Sequence, residues 1–134
     1  MITAFVVDDD PFALKLTRLI LEREGHRVIP IPDWSAVSVA LACQTPNVMF
    51  VDVNMPGLSE DRLVEIIKSR GERKDLPVVL LSDLPEENSR DRADQCGADD
   101  WARKPLTRAS ARATLSKVLP RDFSNETTAI PSRE

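Results

Sequence analysis

Three consecutive acids, Asp8, Asp9 and Asp10, follow the apolar run TAFVV, and a fourth, Asp52, closes VMFV just before a chain-breaking Met-Pro-Gly. Ser82 ends a third apolar run, VVLL, and Lys104 precedes Pro105 further on. If the runs are strands pointing the same way, Asp8, Asp9, Asp52, Ser82 and Lys104 rim one crevice at a shared carboxyl edge, which is where open α/β sheets build their sites. Carboxylates packed together repel one another unless a dication binds. An oxygen-only set with no nearby histidine or cysteine favours Mg²⁺ over zinc. A hydroxyl and an ammonium beside such a metal site are suited to holding phosphoryl oxygens, so the chemistry indicated is phosphoryl transfer.

The elements that must position these groups follow from hydrophobic period and chain breakers. Strands are predicted at Thr3–Val7, His26–Ile31, Val48–Val51, Val78–Leu81 and, on topological grounds, around Asp99–Arg103. Between them, Asp10 and Pro11 suit the start of a first helix whose Phe12, Leu16, Leu19 and Ile20 form an inward stripe, with Gly25 ending it. A second helix spans about Trp34 to Cys43, capped by Asp33, with Val37, Ala40 and Leu41 inward. A third covers roughly Glu60 to Arg70 through Leu63, Ile66 and Ile67, and Gly71 stops it. The segment from Pro85 to Gln95 has helical length but little apolar stripe, so it reads as an exposed fourth helix. The fifth, about Thr107 to Leu119, turns Ala111, Leu115, Val118 and Leu119 inward. Five strands alternating with five helices predict a doubly wound five-stranded parallel sheet flanked by helices.

With 134 residues, 42% of them hydrophobic, the chain supports one domain with a real core and is short for two. We place that domain at residues 1–120 and read 121–134 as a polar tail or linker without periodicity. A net charge of −4 argues against direct nucleic-acid binding or attachment to an anionic membrane. No apolar run approaches a membrane span and the N-terminus lacks a signal-peptide pattern, so a cytoplasmic location is expected. Cys43 and Cys96 read as small packing residues. His26, the single histidine, reads as a strand-start residue rather than a catalyst. Trp34 reads as packing.

The motifs VVDDDP, VDVNMPG, VLLS and GADDWARKP resemble, in order and spacing, the receiver domain of two-component response regulators, the CheY-like superfamily. The resemblance covers about residues 2 to 119. It implies a flavodoxin-like fold in which Asp52 is the phosphoacceptor, taking a phosphoryl group from a sensor histidine kinase or a histidine phosphotransfer protein. It implies that Asp9, Asp52 and the backbone carbonyl of Asn54 hold Mg²⁺, with Asp8 helping through water or from behind, and that Lys104 and Ser82 neutralise the phosphoryl oxygens. Pro105 resembles the family proline whose preceding bond is cis. Ser82 and Trp101 match the family's switch pair, which changes the face made by the fourth helix, fifth strand and fifth helix. The product is a signalling phosphoacceptor, limited to self-phosphorylation and autodephosphorylation, that acts on a downstream protein partner or output domain.

The chain departs from the family pattern in places. Asp83 stands where a very small residue is usual, and an extra carboxylate at the pocket mouth makes it a candidate gate. Leu58 to Glu60 replace the commoner loop residues after Met-Pro. Asn54 and Leu84 neighbour the path of attacking water, with opposing expected effects on phosphoryl lifetime. Ser110 and Thr114 replace an acid and an arginine common in members that dimerise through the fourth and fifth helices, so that dimer is not expected; a monomer or weaker association is. Two rival readings are a pseudo-receiver that only docks partners and an unrelated flavodoxin-like enzyme or nucleotide binder. The second lacks a glycine-rich phosphate loop.

Overall fold

Short β-branched runs bounded by polar or chain-breaking residues become the strands β1 (Thr3–Val7), β2 (Arg27–Ile31), β3 (Val48–Asp52), β4 (Val78–Ser82) and β5 (Asp100–Arg103). The structure, a computed structural model, describes residues 1–52, 75–83, 90, 91, 93, 94 and 97–120. All neighbouring strands pair in parallel in one sheet of order β2-β1-β3-β4-β5. Every residue of β3 and β4 is buried, as expected of central strands covered on both faces, which read as continuous apolar runs rather than alternating ones.

The described helices are α1 (Pro11–Arg23), a single 3-10 turn at Trp34–Ala36 leading into α2 (Val37–Cys43), and α3 (Arg108–Val118). Asp10 caps α1, its carboxylate accepting from the N–H of Phe12 at 3.0 Å, and Asp33 caps the 3-10 turn in the same way through Ser35. Gly25 reverses the chain after α1 with φ +89°, a conformation open to glycine. Thr107 and Ser110 form a reciprocal capping box at the start of α3.

Two hydrophobic clusters cover the two sheet faces. One joins Phe5, Val7, Met49, Val51, Val78 and Leu80 to Val37 and Leu41 of α2, with Trp34 and Trp101 packed against it. The other joins Ala4, Val6, Phe50, Val79 and Leu81 to Leu14 and Leu21 of α1 and Ala111 and Leu115 of α3. Each fully buried Val, Leu or Phe contributes about 1.5–3 kcal/mol relative to exposure. Alternation along the strands splits β1, β3 and β4 between the clusters, which is the doubly wound arrangement.

Several sequence expectations shift. The inward face of α1 is Leu14, Thr17 and Leu21, whereas Phe12 is 74% and Leu19 43% exposed. Phe12 and Leu19 each lie two residues, about 200° at 100° per residue, from the buried Leu14 and Leu21 and so face water, whereas Ile20 of the expected stripe does pack against the core and Leu16 is half-buried. β2 begins at Arg27, with His26 buried just before it, its Nδ1 facing the N–H of Ile2 at 3.5 Å. The second helix starts as a 3-10 turn, β4 extends to Ser82, and β5 begins at Asp100. Cys43 is exposed at the end of α2, so it does not pack as expected. The third helix, the fourth helix apart from residues 90, 91, 93 and 94, Cys96, Leu84, the loop at 58–60 and the tail at 121–134 lie outside the described residues.

Candidate functional site: an acidic crevice at the carboxyl edge

Parallel pairing brings the ends of β1 and β3 together: Val7 sits opposite Val51, so Asp8 and Asp52 each follow at the same level. Asp8 is 0% and Asp52 3% exposed, while Asp9 is open to solvent. One carboxylate oxygen from each of Asp8, Asp9 and Asp52 lies within 4.8 Å of the others. On the far side, the N–H of Lys104 donates to the Ser82 carbonyl at 2.8 Å, which ties the end of β5 to the end of β4. The Lys104–Pro105 peptide bond is cis.

Lys104 reaches across this edge. Its Nζ donates to Asp52 Oδ1 at 2.8 Å and lies 3.2 Å from Asp8 Oδ2. The second contact is Coulombic rather than an aligned hydrogen bond, because Asp8 Oδ2 is buried without a hydrogen-bond partner. Asp8 Oδ1 accepts from the N–H of Asp10 at 3.0 Å.

Burial pushes the Asp8 carboxyl above the ordinary aspartate range; the Asp10 N–H opposes this, the Asp52 carboxylate adds to it, and the Lys104 ammonium opposes it. For Lys104, burial alone would favour the neutral amine, yet the hydrogen bond and charge of Asp52, with Asp8, outweigh it and hold its pKa above the usual lysine value. The crevice is therefore a set of hard oxygen donors with an ammonium fixed over one of them. A buried carboxylate crowded by two further carboxylates is what a small dication would satisfy, and Mg²⁺ suits an all-oxygen set.

Ser82 is buried at the end of β4, one residue beyond Leu81, which pairs with Asp52. Trp101 is half-buried, opposite Leu80 in register and packed on the Val78–Leu80 cluster. Asp83 is exposed immediately after Ser82. Asn54 lies outside the described residues. The sequence offered no signal that the Asp10 backbone, beyond its capping side chain, would hold Asp8 in place, since the direction of an N–H is set only once the chain turns.

Residues 4–116 match the response regulator receiver domain family, and the chain belongs to it. It is 31% identical over 116 residues to the phosphate regulon transcriptional regulatory protein PhoB of Rhizobium meliloti (strain 1021), which covers 87% of this chain and 51% of that protein. The chain thus spans about half the length of that relative. Among solved structures, the chemotaxis response regulator CheY4 of Vibrio cholerae superposes with a TM-score of 0.80 at 23% identity, covering 89% of this chain and 99% of that one. The receiver domain of the sensor histidine kinase PA1611 of Pseudomonas aeruginosa PAO1, solved with a magnesium ion in its active-site cleft, gives 0.77 at 20% identity, covering 87% and 96%. The five-stranded parallel sheet is the CheY-like, flavodoxin-like fold. The chain is a receiver domain of two-component signalling, a switch family rather than one of turnover enzymes. Among the described residues, no helix is long and apolar enough to cross a membrane.

Proposed function

We propose that Asp52 is the phosphoacceptor of this receiver domain, accepting its phosphoryl group from a phosphohistidine on a sensor kinase or histidine phosphotransfer protein. The observation that carries this reading is the convergence of Asp8, Asp9 and Asp52 within 4.8 Å at the carboxyl edge, with Lys104 Nζ 2.8 Å from Asp52 Oδ1. A carboxylate oxygen of Asp52 forms the bond to phosphorus as the phosphorus–nitrogen bond breaks, and the electron pair leaves on the imidazole. Lys104 and the Ser82 hydroxyl face the phosphoryl oxygens and take up their charge. Asp9 and Asp52, with Asp8 beside them and the Asn54 carbonyl, hold Mg²⁺; the ion found in the PA1611 receiver cleft supports that choice. When bound, it supplies charge neutralisation for the transferring phosphoryl group.

The domain phosphorylates only itself and loses the group to water. Ser82 and Trp101 form the switch: the hydroxyl moves toward the phosphoryl group and the indole turns into the space vacated. The face made by the helical residues around Ala93, β5 and α3 then carries the signal to a partner or to an attached output domain. We assign the domain to residues 1–120 and a tail to 121–134, as a monomer or weak dimer in the cytoplasm.

The test is incubation with Mg²⁺ and acetyl phosphate, read by intact mass. Wild type gains a phosphoryl adduct and Asp52→Asn does not, while fluoroberyllate with Mg²⁺ changes Trp101 fluorescence in wild type alone. Absence of both an adduct and a fluoroberyllate response leaves a module that only docks partners.

A further inference from the structure

β5 carries Trp101 and leads directly into Lys104, yet it is an edge strand of four residues in which only Ala102 is fully buried. So little buried surface specifies strand register weakly. A slip of one residue moves the strand's end by about 3.3 Å, enough to break the 2.8 Å bond from Lys104 Nζ to Asp52 Oδ1. The strand is tied at both ends. At the carboxyl edge the Lys104 N–H donates to the Ser82 carbonyl at 2.8 Å. At the opposite end the Asp99 N–H donates to the Val78 carbonyl at 2.8 Å, and Asp99 Oδ2 accepts from the Val78 N–H at 2.8 Å. Val78 opens β4 and is 0% exposed, so its N–H needs an acceptor inside the protein. A longer parallel ladder would supply a backbone carbonyl from the chain just ahead of β5. That chain is turning instead: Gly97 has φ +82°, its N–H donates to the Asp94 carbonyl, and the Ala98 N–H donates to the Ala93 carbonyl. The Asp99 carboxylate fills the acceptor position and extends the pairing of β4 with β5 one step ahead of Val79 and Asp100.

Resting on the phosphoacceptor reading above, we propose that Asp99 is a positioning residue for phosphoryl transfer: by accepting from the Val78 N–H it locks the register of β5, and so holds Lys104 at Asp52 and Trp101 opposite Leu80. The role belongs to the acceptor oxygen and not to the charge, because the donor is a neutral backbone N–H. Asparagine can fill it and alanine cannot.

The test compares wild type, Asp99→Asn and Asp99→Ala at saturating Mg²⁺, by the rate at which intact mass shows the Asp52 adduct from acetyl phosphate. In each, an Asp52 oxygen bonds to phosphorus while the bond from phosphorus to the acetate oxygen breaks and the electron pair leaves on acetate. Asp99→Ala is expected to label roughly tenfold more slowly, the scale of a misplaced charge-neutralising group, and Asp99→Asn at the wild-type rate. Hydrogen exchange read by mass spectrometry supplies the second measurement: Asp99→Ala should exchange faster at Val78 and through β5, with β1 and β3 unchanged. Asp99→Ser, whose shorter side chain falls short of the Val78 N–H, takes the place of Asp99→Ala should that variant not fold. Equal labelling of wild type and Asp99→Ala overturns the proposal. Slowing shared by Asp99→Asn assigns the effect to charge and also overturns it, as does faster exchange spread over the whole sheet, which marks a general loss of stability. No adduct in wild type itself sinks the phosphoacceptor reading and this proposal with it, whereas failure of the Asp99 tie alone leaves wild type labelled.

Discussion

Asp8, Asp9 and Asp52 crowd their charges into one crevice, and Lys104 is the cation seen to answer them, through Asp52 Oδ1 at 2.8 Å and Asp8 Oδ2 at 3.2 Å. Carboxylates crowded this closely repel one another, and burial has already raised the Asp8 carboxyl. A dication that binds the native crevice and not the unfolded chain stabilises the fold by mass action. Wild type should therefore gain about 1.4 kcal/mol at a Mg²⁺ concentration ten times its Kd, read as a rise in Tm. Asp9→Asn should lose most of that increment while its metal-free Tm stays equal to wild type or rises, because one repelling charge is gone. A Mg²⁺ response unchanged in Asp9→Asn would take Asp9 out of the metal set. At this scale the residue types were legible in the sequence, since aspartates, a serine and a lysine after apolar runs announce themselves. Which oxygen Lys104 grips was not, because that depends on two strand ends far apart in the chain meeting at one level.

The helix α1 shows how an element's phase escapes its composition. The expected stripe of Phe12, Leu16, Leu19 and Ile20 competes with Leu14, Thr17 and Leu21 for the sheet; the second set is the buried one, Ile20 packs beside it, and Phe12 and Leu19 face water. Hydrophobicity favours the first set, because Thr17 counts as polar in a pattern. The cap at Asp10 and the turn out of β1 fix where the helix begins and so which side faces inward. Leu21→Ala should cost about 2–5 kcal/mol, the range for deleting a buried leucine. Phe12→Ser should shift stability by less than about 0.5 kcal/mol. Urea unfolding measures both, and a large loss for Phe12→Ser would reverse the assigned face. The far end of α1 is tied to α3, where the Glu24 carboxylate accepts from the guanidinium groups of Arg108 and Arg112. The Arg112 hydrogen bond, opposed by burial and reinforced by Arg108, holds the Glu24 carboxyl below the ordinary glutamate range. No sequence period pairs residues that distant; only adjacent helices on one sheet face do.

At the scale of the whole molecule, Leu119, just after α3, is the last core residue among the described residues. Residues 1–120 should therefore fold as well as the full chain. A chain ending at Pro120 is expected to melt within about two degrees of full length, inside the shift of a sub-kcal/mol change for a domain this size; a larger drop would extend the domain into 121–134. The sequence by itself determined the class of fold, the positions of the five strands within a residue or two, and the identities of the acids, hydroxyl and lysine at their ends. Those features are local, because apolar runs and chain breakers act within a few residues. Only the tertiary structure decided the strand order, the face that α1 buries and the grip of Lys104 on Asp52 and Asp8. Each of these depends on which segments become neighbours in the sheet, and strand register at the carboxyl edge sets every distance in the crevice.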